Sequence, residues 1–420
     1  MSEPTPAIRT RDSSFYPWVV VALLCVVGCL NYLDRMMITT MRSSIVEAIP
    51  MTDAQFGLLT SVFLWIYGLL SPVAGFLADK FNRSKVILIS LFVWSVVTWL
   101  TSYATTFEQL LVTRALMGIS EACYIPAAMA LIMDYHRGGT RSLANSIHMA
   151  GIMVGQSLGF IGGWLAENHG WNHAFVIFGT IGVGYSFLLL LTLKDPAGNH
   201  REKALPAAEA GVGFADGIRG LMGNRYFLMA VAGWSLLGIV GWIIVGWLPT
   251  YFKEHFNLSQ TMAGVYATGY FYTASLAGVL TGGVLADRWS RVNPRGRILL
   301  PVVGLCIAAP AVFMASSTSI LPLAVGCFMV FAFTRIFTDG NMMPILCLIA
   351  DPRYRATGYG VLNLFSCIIG GIGLYAGGAL RDAHINLSLM FKFGAVLLLL
   401  SAASLYFIRP VYREEGKPPR

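Results

Sequence analysis

Twelve apolar runs, each long enough to cross the roughly 30 Å of hydrocarbon in a bilayer, dominate this chain. Helices are expected near residues 17–39, 54–78, 86–104, 108–133, 142–166, 172–193, 226–250, 262–286, 297–315, 319–347, 357–380 and 387–408. Backbone in lipid must satisfy its own hydrogen bonds, so runs of this length and composition leave helix as the spanning structure. The 420 residues are 56% hydrophobic and only 12% charged, against about 25% charged in ordinary soluble domains. The expected fold class is all-α integral membrane, with twelve transmembrane helices in a lipid bilayer.

The charges sort by side. Arg35, Arg114 and Arg335 fall inside spans, and Arg42, Lys253, Arg381 and Lys392 fall between spans on one side. The remaining 22 of the 29 Lys and Arg, among them Arg9, Arg11, Arg137, Arg201, Lys203, Arg353, Arg413, Lys417 and Arg420, gather on the other. The positive-inside rule then puts both termini in the cytoplasm of a multi-pass protein in a cell's inner (plasma) membrane. It also accounts for a pI near 9.1 with no nucleic-acid partner. The stretch 194–225 is rich in charge, Pro and Gly, and reads as a cytoplasmic linker between an N-terminal bundle (1–193) and a C-terminal bundle (226–420). The first 16 residues are polar and the run from Trp18 is too long for a signal peptide, so no cleavable one is expected.

Seven cysteines all lie in apolar stretches without CxxC or Cys/His spacing, and they read as small hydrophobes, with no metal site expected. No phosphate loop, HExxH or GxSxG motif is present, so neither an enzyme nor an ATP-driven pump is expected, and no cofactor.

The two halves repeat. Gly75-Phe-Leu-Ala-Asp-Lys-Phe-Asn-Arg83 recurs 208 residues later as Gly283-Val-Leu-Ala-Asp-Arg-Trp-Ser-Arg291. Arg141 and Arg355 open the fifth span of each half, and Gly162-Gly163 and Gly377-Gly378 follow them. A duplicated six-span unit puts its substrate near the midplane between the halves and implies alternating access. Over essentially its whole length the chain resembles the major facilitator superfamily, whose signature loop between helices 2 and 3 has this pattern. That resemblance implies two pseudo-symmetric six-helix bundles. It also implies gating on the cytoplasmic side by Asp79, Arg83, Asp287 and Arg291, with Asp79 on basic and helix-end groups holding an outward-open state.

Two subfamilies are similar. Asn31-Tyr-Leu-Asp-Arg35 and Arg114-x-x-x-Gly-x-x-Glu-Ala-x-x-x-Pro126 look like the anion:cation symporter family, which carries organic anions such as sugar acids. Glu121-Ala-Cys-Tyr124 and the stretch to Gly159 are also similar to the Spinster-like lysolipid and sphingolipid carriers.

Ionisable groups at membrane depth cost roughly 2.5–3.5 kcal/mol each on insertion scales, which makes each a functional candidate. Arg114 and Glu121, seven residues apart on a helix, share a face about 10 Å apart. Guanidinium suits bidentate carboxylate recognition, while desolvation and a nearby arginine push a carboxyl pKa in opposite directions. Proton uptake could then free an arginine for an incoming anion. Resemblance to the symporters makes Asp34 and Glu121 proton sites, sets Arg35 and Tyr67 toward the substrate, and pairs Arg114 with a carboxylate. The bland reading is two static ion pairs, Asp34–Arg35 and Arg114–Glu121, fixing helix register. Arg335 and Asp339, four apart, are expected to pair, either as part of the site or as a cytoplasmic-end latch with Asn341. Asn363 is a candidate contact for a sugar acid, and His148 reads as a helix-packing hydrogen bonder. The expectation is a monomeric, proton-coupled symporter of a small organic anion, with a sodium gradient as the alternative drive. The competing readings are a Spinster-like lysolipid carrier and a drug:proton antiporter.

Overall fold

Each expected run is a helix. The computed structural model describes residues 15–136, 140–195, 214–293, 295–351 and 355–410. Spans 1 to 6 are Tyr16–Thr40, Asp53–Lys80, Arg83–Thr101, Phe107–Tyr135, Arg141–His169 and Trp171–Thr192. Spans 7 to 12 are Arg225–His255, Gln260–Val292, Gly296–Ala315, Leu321–Ile349, Arg355–Asp382 and Leu387–Tyr406. Much of the expected linker, with several basic residues behind the sidedness argument (Arg9, Arg11, Arg137, Arg201, Lys203, Arg353, Arg413, Lys417, Arg420), lies outside the described residues, as does the Asp79 side chain.

Spans 2, 3, 4, 7, 8 and 12 begin at Thr52, Asn82, Thr106, Asn224, Ser259 and Asn386, whose side chains accept hydrogen bonds from first-turn amides. Such caps satisfy donors that a helix start leaves unpaired. Large apolar side chains such as Leu69, Phe187, Leu191 and Phe393 point outward and stay exposed, as a surface facing lipid requires.

Span 1 packs on 5, 2 on 4, and 3 on 4 and 6; the same set recurs as 7 on 11, 8 on 10, and 9 on 10 and 12. This is the duplication read from the repeated loops, now as geometry. The halves meet where span 2 lies along span 11 and span 5 along span 8. Small residues let backbones approach there. Ser61 donates to the Gly371 carbonyl at 2.6 Å, and the Trp65 indole donates to that of Ile368 at 3.0 Å. Within the first half, a Cβ on Gly151 would lie 2.8 Å from the Cys25 carbonyl oxygen. Cys25 and Cys29 thus mark where span 5 presses on span 1, and no metal-binding cluster occurs among the described residues.

Both ends of an even number of spans emerge on one face, here called the termini face; the opposite one is the far face. Among the described residues, three spans are interrupted. Span 4 breaks between Glu121 and Tyr124, where Pro126 lacks the amide that would bond to Ala122. Span 5 breaks between Ser157 and Phe160, and span 8 carries a π turn over Val265–Tyr270. The last two meet across the halves, where Thr268 donates to the Ser157 carbonyl and Ser157 to that of Gly269, both at 3.2 Å.

Candidate functional site

Asp34, Arg35, Arg114 and Glu121 are each at most 5% exposed. Two carboxylates and two guanidiniums therefore face one another in the first half with almost no water to screen them. Their pairing differs from both ion pairs of the bland reading. Arg35 donates to Glu121 at 2.9 Å, from span 1 to the break in span 4. Adjacent residues on a helix point about 100° apart, so Asp34 turns to a different neighbour and accepts from the Thr98 hydroxyl of span 3 at 3.3 Å. Its other oxygen has no hydrogen-bond partner.

Arg114 is not paired with a carboxylate among the described residues. One of its terminal nitrogens meets the Met117 sulfur at 3.2 Å and its Nε is buried without a partner. Seven residues along one helix put Arg114 and Glu121 on a shared face but too far apart for a hydrogen bond, and the break in span 4 leaves Glu121 to Arg35.

Around Arg35 stands an aromatic cage of Tyr32, Phe63 and Tyr67. The guanidinium carbon lies 4.4 Å from the centroid of Tyr32, 4.7 Å from Phe63 and 4.7 Å from Tyr67. Rings at such distances attract a cation through their quadrupoles, by up to about 2 kcal/mol each when desolvated. Tyr67 thus reaches Arg35 and stacks on Phe63. Tyr32, three residues before Arg35 in the same motif, was the readable signal; Phe63 had none.

Arg35 and Arg114 line a void of about 20 Å³ with Thr39, Thr60 and, from the second half, Trp242 and Leu374. The cluster therefore lies against the seam between halves. Across it, Arg335 pairs with Asp339 at 2.9 Å, with the two side chains 21% and 39% exposed. Gly241 of span 7 makes room for that guanidinium: a Cβ there would lie 3.0 Å from it. Asn341 instead bonds back to the Phe337 carbonyl of its own helix at 2.8 Å, so it does not join a latch with the pair. Asn363 is half-buried on span 11 and makes no hydrogen bond among the described residues.

His148 is fully buried, with Nε2 2.8 Å from the Tyr124 hydroxyl, which donates to the Leu24 carbonyl at 2.7 Å. That joins spans 1, 4 and 5. At the termini face, Arg83 pairs with Asp134 and Arg297 with Asp287 at 3.2 Å, each within its own half; Arg291 is exposed.

The family model described as Major Facilitator Superfamily matches residues 24–374. Protein spinster homolog 1 of Xenopus tropicalis is 26% identical over 84% of this chain and 70% of its own. The probable sulfoacetate transporter SauU of Cupriavidus necator is 26% identical over 96% of this chain and 95% of its own. Among solved structures, a bacterial homolog of the human lysosomal transporter Spinster, in an inward-facing and unoccupied conformation, superposes with a TM-score of 0.75 at 25% identity, covering 94% of this chain and 95% of that one. The matched span, the doubled six-helix packing and the repeated loops agree: the chain belongs to the major facilitator superfamily, and it is a membrane transporter rather than an enzyme.

Proposed function

We propose that this transporter couples proton entry to the import of a small organic anion, a sugar acid or a related carboxylate or sulfonate. One observation carries the reading: a balanced set of four buried charges in which Arg114 has no carboxylate to itself. With both acids ionised the set is neutral, and an added anion is unfavourable. A proton on Glu121 releases Arg35 and leaves one positive charge uncompensated. The aromatic cage keeps Arg35 in place, and an anion at the Arg35–Arg114 edge restores neutrality. Departure of anion and proton on the other side lets Arg35–Glu121 re-form, which resets the cycle. Asp34, with one unpartnered oxygen, is the second proton site. The likeness to a sulfoacetate transporter supports an anionic substrate, and the positive-inside count supports a cytoplasmic termini face in a plasma membrane.

A second reading, an amphiphile or lysolipid carrier, is favoured by the Spinster relatives and structure. The test is uptake by the purified full chain in proteoliposomes, with labelled galacturonate, sulfoacetate and a lysolipid offered in parallel. Accumulation of an acid driven by a more acidic exterior and abolished by a protonophore supports symport. Acid uptake indifferent to the imposed gradient ends the coupling claim, and transport of lysolipid alone moves the assignment to the second reading.

A further inference from the structure

At the far face the two halves are joined by two contacts that are copies of one another. In span 5 the chain reads Gly162-Gly-Trp-Leu-Ala-Glu167, and in span 11 Gly377-Gly-Ala-Leu-Arg-Asp382. Each is a glycine pair followed, four residues after the second glycine, by an acid that ends or nearly ends the helix. Spans 5 and 11 are equivalent positions of the repeat, as are spans 2 and 8.

Asp382 reaches out of the second half and caps span 2 of the first. Its two carboxylate oxygens accept from the backbone amides of Asp53 and Ala54, each at 2.9 Å. Glu167 makes the reciprocal contact, accepting from the backbone amide of Thr261 at 2.9 Å and from its hydroxyl, at the start of span 8. A carboxylate is well suited to such a position, because a helix start presents unpaired amides and the positive end of the helix dipole. The glycines let the two backbones come close enough. A Cβ on Gly378 would run into the backbone of Asp53 and Ala54, and one on Gly163 would lie 3.3 Å from the Gln260 carbonyl oxygen.

Around the Asp382 cap lies an ion-pair network. Asp53 takes Arg42 and, at 2.9 Å, Arg381 Nε. Arg381 also makes a two-pronged contact with Glu254, both bonds at 2.9 Å. Beside the Glu167 cap, Gln260 donates to Ser44 at 3.0 Å and to the Gly163 carbonyl at 3.2 Å. In both places groups of one half hold groups of the other.

We propose that the two Gly-Gly-x-Leu-x-Asp/Glu segments are a paired latch, and that Asp382 and Glu167 are positioning residues that hold the far face shut and set the balance between the two access states. Opening that face pulls the second helix of each half away from the fifth of the other, so both caps break together. The latch rests on the alternating access of the transporter but not on its substrate or coupling ion, so failure of the uptake test leaves it standing.

Amide hydrogen exchange on the full chain in nanodiscs, read by mass spectrometry, tests it. Asp382→Asn and Glu167→Gln keep size and one acceptor while removing the charge. Each is expected to raise exchange about tenfold over 42–55 and 254–264, and the double variant more. Segments at the termini face, 80–90 and 288–300, are expected to become more protected, because closing one face accompanies opening the other. Asp382→Glu restores the acid and is expected to recover most of the protection. Faster exchange on both faces alike would mean general loosening and overturn the proposal, as would no change in either single variant. If Asp382→Asn does not fold, Glu167→Gln on the less crowded flank gives the same two readings.

Discussion

Replacing Glu121 by glutamine removes one charge from the buried set while keeping its shape and an oxygen that still accepts from Arg35. An anion held at the free edge of the Arg35 guanidinium stands roughly 5 Å from the Glu121 carboxylate, because that carboxylate already occupies one terminal nitrogen at 2.9 Å. Two like charges at about 5 Å repel by about 3 kcal/mol at an effective dielectric near 20. Removing that repulsion strengthens anion binding by at most roughly a hundredfold, since about 1.4 kcal/mol is a factor of ten. Reorientation of Arg35 takes part of this, so a gain of roughly ten- to a hundredfold is expected at neutral pH. The unliganded variant should also be less stable. Removing one partner of a buried pair costs about 3–5 kcal/mol, offset in part by the retained amide bond and by three rings within 4.7 Å of the cation. The assay is ligand-dependent thermal unfolding of detergent-solubilised protein, followed by tryptophan fluorescence, with galacturonate and sulfoacetate from pH 5 to 8. Wild-type affinity should rise on acidification, and the variant should bind tightly already at pH 8 with a smaller pH dependence, the part left to Asp34. Weaker binding in Glu121→Gln, or an undiminished pH dependence, would refute the charge-balance argument.

Two other substitutions separate chemistry from packing. Arg114→Lys keeps the charge but loses the planar two-pronged donor, so carboxylate affinity should fall about tenfold in the same titration. Arg114→Leu leaves the buried set of Asp34, Arg35 and Glu121 with one negative charge in excess, so it should lower the melting temperature at neutral pH and abolish uptake. Gly155→Val should destabilise by about 1–3 kcal/mol, because any Cβ there overlaps the Cys29 backbone. Gly184→Val, with nothing within 4 Å, should be neutral in the same melt.

How much of this was legible follows from which residues are local in sequence. The twelve spans were, because hydropathy over about twenty residues is a property of one helix. The ion pair Arg35–Glu121 was not, since its partners are 86 residues apart, and the spacing of Arg114 and Glu121 reports only a common helix face. Pro126, whose missing amide marks the break in span 4, is local and legible. The Gly-Gly pairs were seen as repeats, yet the acids four residues beyond them carry meaning only once spans 2 and 8 lie alongside. Tyr32 could have been placed near Arg35 from i, i+3 spacing. Phe63, Trp242 and Leu374 come from other spans, and only the assembled bundle brings them to the void.

The four basic residues that broke the sidedness count show why the far-face seal is polar. Arg42 and Arg381 lie among Asp53, Glu254 and Asp382, so local acids offset their positive charge. A seal that opens in every cycle must leave groups that water can accept. Glu254, at 46% exposed, already meets solvent, and an exposed ion-pair partner of this kind contributes about 0–1 kcal/mol. An apolar seam of the same extent would expose its surface on opening, at about 25 cal/mol per Å², and hold the face shut too firmly for turnover. The deep cluster obeys the opposite constraint. In the proposed cycle the Arg35–Glu121 pair, at 5% and 0% exposure, opens only when a proton and an anion substitute for it. If the proposed cycle and latch both hold, the dry exchange at the centre decides when the wettable rim moves.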